Sequence, residues 1–417
     1  MKAKAAVLLG KKKIQVKEID LPPIGREELL VKNISNSICL STYKAAVLGE
    51  EHKRVPEDIK DHPAITGHEF AGIIMEVGED LKGQFKQGDK FVLQPAMGLP
   101  TGYSAGYSYE YFGGNATYCI IPKVAIDKGC VLPYNANYFA NASLSEPMSC
   151  IIGAYHAQYH TEPYVYEHFM GVKNAGKLAL MGCAGPMGIG AIDYAIHGPV
   201  TSKLIVVTDI DEERLQRART LIPEDEAAKR GKKLIYLNTR ELDAVSELME
   251  ISGGTGYDDV FVFAASEPLL KQADAILGND GCLNFFAGPT NKEFKVPFNY
   301  YNVHYESTHI VGTSGGSTGD MLECLELSSQ GNLNPSFMIT HIGGLNAAPD
   351  TILTLPEIPG GKRIIYPHIE LPLTAIADFR KLGENNPLFK GLADICEKNH
   401  HVWCEEAERY LLDYYHV

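Results

Sequence analysis

No window of the 417-residue chain approaches the roughly twenty apolar residues that a membrane span requires. The opening MKAKAAVLLGKKKIQVKEIDLP holds an apolar stretch too short for a secretory signal, so a soluble, cytoplasmic protein is expected. Dense basic runs are missing as well. With 38 basic and 52 acidic side chains the net charge is -14, which disfavours a nucleic-acid partner and points to small-molecule chemistry. The nine cysteines (39, 119, 130, 150, 183, 282, 324, 396 and 404) are odd in number and lack the dense pairing of a secreted disulfide scaffold. They are expected to be reduced, each open to packing, metal binding or nucleophilic chemistry. Internal repeats and low-complexity linkers are also absent.

What is present is a globular composition, 45% hydrophobic and 22% charged, at a length that accommodates two or three domains. From Lys2 to about Pro147 short β-branched segments punctuated by Gly and Pro (KAAVLL, IQVKEI, ELLVKNIS, EFAGIIMEVG, GDKFVLQP, ATYCIIP) predict a twisted antiparallel domain, a partly closed barrel. From about Ile151 to Gly312 apolar strands alternate with helical patterns, which predicts a parallel sheet covered on both faces. The class is therefore α/β, divided as 1–151, a doubly wound 152–314, and a return to the first domain over 315–417 with a C-terminal helical extension.

In the middle block LALMGCAGPMGIGAIDYA joins a strand to a helix. Gly182, Gly185 and Gly188, with Pro186 and Met187 between them, would let a pyrophosphate approach the helix N-terminus. Asp209 closes the next strand 21 residues beyond Gly188, where a carboxylate accepts from ribose hydroxyls and repels a 2′-phosphate. NAD(H) is therefore expected rather than NADP(H), although Cys183 stands where the first glycine of G-x-G-x-x-G usually falls.

In the first block Cys39 (in NSICLSTYK), His68 (in GHEFAG, followed by Glu69) and Glu146 (in SEP) are far apart in sequence. Their chemistry suits a catalytic zinc, with one thiolate, one imidazole and one carboxylate leaving a fourth position open. Cys39 with Ser41, GHEFAGIIMEVG, GDKFVLQP, GGNATYCIIP, SEP, AGPMG and VVTD run in the order seen in zinc-dependent medium-chain dehydrogenases, and the chain resembles their sorbitol dehydrogenase branch.

That resemblance implies a GroES-like catalytic domain, a Rossmann domain, and hydride transfer between NAD(H) and a secondary alcohol or ketone of a sugar phosphate. L-sorbose 1-phosphate and D-glucitol 6-phosphate are the implied pair, and an unphosphorylated polyol or other secondary alcohol is the alternative. Carried over position by position, it makes Cys39, His68 and Glu146 ligands of one catalytic zinc. Glu69 becomes an acid able to join the metal, and Ser41 the hydroxyl that passes the alcohol proton. Ala264, Gly288, Thr313 and Ser314 become cofactor contacts, and a homo-oligomer, dimer or tetramer, is implied.

The chain departs from the family pattern in several places. Thr42 stands where an acid usually supports the zinc histidine, so His68 is expected to find another acceptor. Lys44 replaces a relay histidine and could pass the proton or hold a substrate phosphate; His52, Lys53 and Arg54 form a second basic patch. The stretch AMGLPTGYSAGYSYEYFGG, where relatives carry four cysteines, has none, so no structural zinc is expected and its tyrosines predict a packed lobe. Cys396, His400 and Cys404 fall at helical spacing, yet Ile395, Trp403 and Leu411 share the stretch and favour packing over a metal. A non-catalytic nucleotide binder would have no need of Cys39, Ser41, His68, Glu69 and Glu146 together.

Overall fold

The β-branched segments of the first block form strands Lys2–Leu8, Ile14–Asp20, Leu29–Ile38, Glu69–Val77, Lys90–Leu93 and Tyr118–Ile121. In the computed structural model, which describes residues 1–289 and 291–417, these belong to a unit made of Met1–Glu146 and Pro335–Val417. Lys2–Leu8 lies between Ile14–Asp20 and Ala64–Ile65 in a small sheet, and a larger mixed sheet runs through Leu29–Ile38. That long strand pairs antiparallel with Glu69–Val77, Ser37 opposite Glu69, and with Lys362–Tyr366, Ile38 opposite Arg363. The register brings Cys39, His68 and Lys362 to one end of three neighbouring strands. Beneath them Phe70 meets Phe91 and Phe112 edge-on, with centroids 6.0 and 6.2 Å apart, and all three are buried.

The second unit, Pro147–Asn334, is built on six parallel strands. Their order is Lys233–Asn238, Leu204–Asp209, Lys177–Met181, Tyr257–Val262, Leu277–Phe285 and His309–Val311, the 3-2-1-4-5-6 arrangement of a dinucleotide fold. Its central strands are buried along nearly their whole length, which accounts for their unbroken apolar runs.

An antiparallel hairpin, Tyr159–Glu162 with Val165–Met170, precedes the first parallel strand and has no counterpart in the sequence reading. Its second strand is exposed throughout, so no burial pattern marks it. It is tied down by His160, whose ring nitrogens lie 3.1 Å from Asp259 and 3.2 Å from Asp280.

The chain returns to the first unit at Pro335 rather than at 315, and leaves it after Glu146 rather than after 151. The helix Thr318–Ser329 stays with the second unit for a clear reason. Its capping box at Ser317 and Asp320 faces His156, whose Nδ1 lies 2.7 Å from Asp320, and Tyr194 donates to Glu323 at 2.6 Å.

The tail forms two helices, Pro387–Lys398 and Glu405–Tyr414, because His400 and His401 take left-handed φ of 57° and 61° between them. Cys396, His400 and Cys404 therefore do not share one helix face. Glu408 in the last helix is buried and accepts from the amides of Phe139 (2.6 Å) and Ala140 (2.7 Å) and from the Tyr366 hydroxyl (2.8 Å). This clamps the helical turn Phe139–Ser143 that leads into Glu146. Among the described residues no helix is long and apolar enough to cross a membrane.

Candidate active site

The helix Leu40–Leu48 begins directly after the strand that ends at Ile38, so Cys39 becomes its N-cap. A thiolate there faces free amide groups and the positive end of the helix dipole. Cys39, His68 and Glu69 offer ligand atoms that all lie within 4.8 Å of one another. The Ser41 hydroxyl donates to Cys39 Sγ at 3.0 Å and lies 3.4 Å from His68 Nε2.

Thr42 is itself the partner that His68 was expected to seek elsewhere: its Oγ1 lies 3.2 Å from His68 Nδ1. A hydroxyl accepting the Nδ1 proton leaves the Nε2 lone pair directed at the Cys39 side, the tautomer that a metal ligand needs. Glu146 carries the third donor of the sequence reading, at the start of the helix Ser145–Ala157.

Two residues enter that the sequence did not single out, Lys362 and Tyr107, and Arg54 of the basic patch joins them. Lys362 is buried and its ammonium grips both oxygens of the fully buried Glu69, at 2.7 and 2.8 Å. Tyr107, from the cysteine-free lobe, is buried rather than merely packed at a distance: it donates to Ser41 at 2.8 Å and lies 3.3 Å from His68 Nε2. Arg54 lays its guanidinium 5.1 Å from the centre of the Tyr107 ring. Lys44 lies one helical turn beyond Ser41, half-buried.

Electrostatics test whether a cation belongs here. Burial, followed by the charge of Glu69, pushes the Cys39 thiol up. The same two causes raise Glu146 to about 7. Burial works against ionised Glu69 too, but Lys362 and then His68 outweigh it and hold that carboxyl below its ordinary range. His68 is lowered by burial and stays neutral, as a ligand must. One ammonium thus faces a thiol and two carboxyls. The ligand atoms that group together are those of Cys39, His68 and Glu69, and Glu146 reaches the group through its charge. A divalent cation there would supply the missing positive charge, and a thiolate, imidazole and carboxylate set suits zinc.

In the second unit a cavity of about 510 Å³ is lined by Gly182, Gly185, Pro186, Met187, Gly188, Asp209 and Ala264 among others. Gly182 has φ of 63°, and a Cβ on Gly188 would sit 1.9 Å from the Cys183 carbonyl, so neither tolerates a side chain. A Cβ on Gly185 would meet nothing, which leaves open the space in front of the helix Pro186–His197 where a phosphate belongs. Asp209 accepts from Ala184 N (2.9 Å), Ile210 N (2.8 Å) and Asp211 N (3.1 Å), which fix the carboxylate at the cavity wall. Gly288, Thr313 and Ser314 are not part of that lining, although Thr313 Oγ1 is buried without a partner.

A GroES-like unit with a thiol, imidazole and carboxylate cluster, and a second unit with a dinucleotide cavity, define a metal-dependent alcohol dehydrogenase. The chain belongs to the zinc-binding dehydrogenases: residues 186–330 match the family model described as zinc-binding dehydrogenase and residues 25–131 that of the alcohol dehydrogenase GroES-like domain. Within the family it is 68% identical to the mannitol-1-phosphate 5-dehydrogenase of Aliivibrio fischeri, over 99% of this chain and 98% of the relative. It is 40% identical to the L-sorbose 1-phosphate reductase of Klebsiella pneumoniae, over 97% and 96%. The solved 2R,3R-butanediol dehydrogenase of Bacillus subtilis shares the fold, with a TM-score of 0.70 at 20% identity over 88% of this chain and 99% of that one.

Proposed function

We propose that this dehydrogenase interconverts a hexitol phosphate and the corresponding ketose phosphate with NAD(H). Mannitol 1-phosphate, oxidised at C5, is the first candidate and the L-sorbose 1-phosphate and D-glucitol 6-phosphate pair the second, an order supported by 68% against 40% identity to the two relatives. Oxidation of mannitol 1-phosphate at C5 gives a 2-ketose carrying its phosphate on C6, that is, fructose 6-phosphate. The observation that carries the reading is the Cys39, His68 and Glu69 cluster with the Ser41 and Tyr107 hydroxyls against it.

Cys39, His68 and Glu146 would hold the metal, and Glu69 stands by in its pair with Lys362. A zinc ion held there would supply Lewis-acid polarisation of the ketone oxygen, and a bound reduced nicotinamide would supply the hydride. Ser41 is the hydroxyl placed to hand a proton to the new alcohol and to take it back in oxidation. Tyr107, donating to Ser41 at 2.8 Å, orients that hydroxyl and limits the directions in which its own proton can point. The buried Tyr107 hydroxyl stays protonated, because burial and then the neighbouring Cys39 push it far up.

Asp209 supports NAD(H): a fixed carboxylate repels a 2′-phosphate, and Arg214 in the same cavity is engaged by Asp211 at 3.4 Å. A single zinc per chain and a homo-oligomeric assembly belong to the same proposal, checked by metal analysis and light scattering. The decisive assay is NAD-linked oxidation of mannitol 1-phosphate, D-glucitol 6-phosphate, mannitol and glucitol side by side. Turnover confined to the phosphates supports the reading, whereas faster turnover of a free polyol moves the enzyme to the unphosphorylated alternative.

A further inference from the structure

Arg54 is a half-buried arginine that takes part in no ion pair among the described residues, and its guanidinium carbon lies 5.1 Å from the centre of the Tyr107 ring. Its backbone is fixed on both sides. Its amide donates to His52 Nδ1 at 3.3 Å, and its carbonyl accepts from Ser108 Oγ at 2.6 Å. The loop that carries Arg54 is thereby stapled to the lobe that carries Tyr107. His52 lies nearly parallel to the same tyrosine ring, with centroids 6.0 Å apart and an interplanar angle of 12°.

The opposite end of Tyr107 touches the reacting site, with its hydroxyl 2.8 Å from Ser41 and 3.3 Å from His68 Nε2. One aromatic side chain thus has a guanidinium outside any described ion pair on its face and the proton-handling hydroxyl at its tip. The surroundings are cationic. His52 is pushed down to about 4 by burial and then by the charges of Arg54, Lys53 and Lys44. A neutral imidazole, a forked guanidinium and two lysines around a half-open loop match a phosphoryl dianion. A polyol hydroxyl, in contrast, gives such a cluster nothing to neutralise.

We propose that Arg54, seated on Tyr107, is the residue that recognises the phosphoryl group of the substrate, with Lys44 adding to the field rather than making the defining contact. The assignment rests on the sugar-phosphate reading above and locates its specificity in one side chain. A forked, charge-assisted contact to phosphate is directional, so charge alone does not replace it.

The test compares wild type, Arg54→Gln and Arg54→Lys, each metal-loaded, in NAD-linked oxidation of mannitol 1-phosphate and of mannitol. It adds competitive inhibition by inorganic phosphate as a binding readout. For Arg54→Gln the ratio of kcat/KM for the phosphate over the free polyol falls by roughly 10- to 100-fold, chiefly through KM, and the inhibition constant for inorganic phosphate rises in step. Arg54→Lys recovers part of both.

A wild-type preference for the phosphate that survives unchanged in Arg54→Gln overturns the role of Arg54 and leaves the sugar-phosphate function standing. A wild type with no such preference overturns the function itself. If Arg54→Gln fails to fold, Arg54→Lys carries the test, because an unaltered ratio and unaltered phosphate inhibition in that variant refute recognition by a fork.

Discussion

In the metal-free protein, replacing Lys362 by Met leaves the carboxylate of Glu69 with no cation in a place that water does not reach, since Glu69 has no exposed surface. At 2.8 Å and an effective dielectric constant of about 20, the gross attraction in the pair is roughly 6 kcal/mol. Much of that offsets the desolvation of both groups, so the intact pair contributes little net stability, whereas breaking it strands a charge at a cost of about 3–5 kcal/mol. For a unit of this size, such a loss lowers the melting temperature by about 6–20 °C.

The readout is built into the molecule. The single tryptophan, Trp403, is buried in the same unit and donates to the Tyr366 hydroxyl at 2.8 Å, so its fluorescence reports on that unit alone. The expected result is a large downward shift of the tryptophan transition in Lys362→Met. Most of the loss is recovered in the double variant Glu69→Gln with Lys362→Met, which removes both charges together. A single variant that loses less than about 1 kcal/mol, or a double variant no more stable than the single one, would refute the uncompensated-charge reasoning.

Thr42→Val removes the hydroxyl facing His68 Nδ1 and should weaken metal binding by about 10- to 100-fold in competition with a chromophoric chelator, with Thr42→Ser close to wild type. Asp209→Gly should lower the kcat/KM ratio of NADH to NADPH by at least about 10-fold, and an unchanged ratio would locate cofactor choice elsewhere. Glu408 supplies a pH signature. Burial raises it to about 7 in the folded chain from 4.5, so between those values the native state holds a proton that the unfolded chain has released. Stability therefore falls as pH rises from about 4.5 to 7, by up to about 3 kcal/mol, and levels off above. Denaturant titrations of wild type and Glu408→Gln over this range should show the slope in the first and lose most of it in the second.

What could be read from the sequence was whatever a local period or a fixed spacing encodes. Asp209 ends an apolar strand at a set distance from a glycine turn, and the parallel sheet announced itself through unbroken apolar runs between helices. Lys362 was not legible. Nothing in GGKRIIYP distinguishes it, and only the pairing of Ile38 with Arg363 sets it against Glu69, 293 residues away. Tyr107 was hidden differently, because a tyrosine-rich loop reads as packing until the fold shows which ring turns inward. Thr42 looked like a missing acid when it is a weaker acceptor in the same role. The tail looked like one helix because its hydrophobic spacing continues through His400 and His401, whose left-handed backbone breaks it.

Hydride transfer in the proposed reaction depends on a metal held by Cys39, His68 and Glu146. The most direct test is zinc content together with NADH oxidation by fructose 6-phosphate, measured on wild type, Cys39→Ser and Glu146→Gln, with zinc added back after chelation. The expected result is about one zinc per chain and turnover in wild type, loss of both on chelation and recovery of both on repletion. Zinc binding should be weakened in Cys39→Ser and Glu146→Gln. Full turnover by a zinc-free wild type, or undiminished zinc and activity in Cys39→Ser, would contradict this dependence.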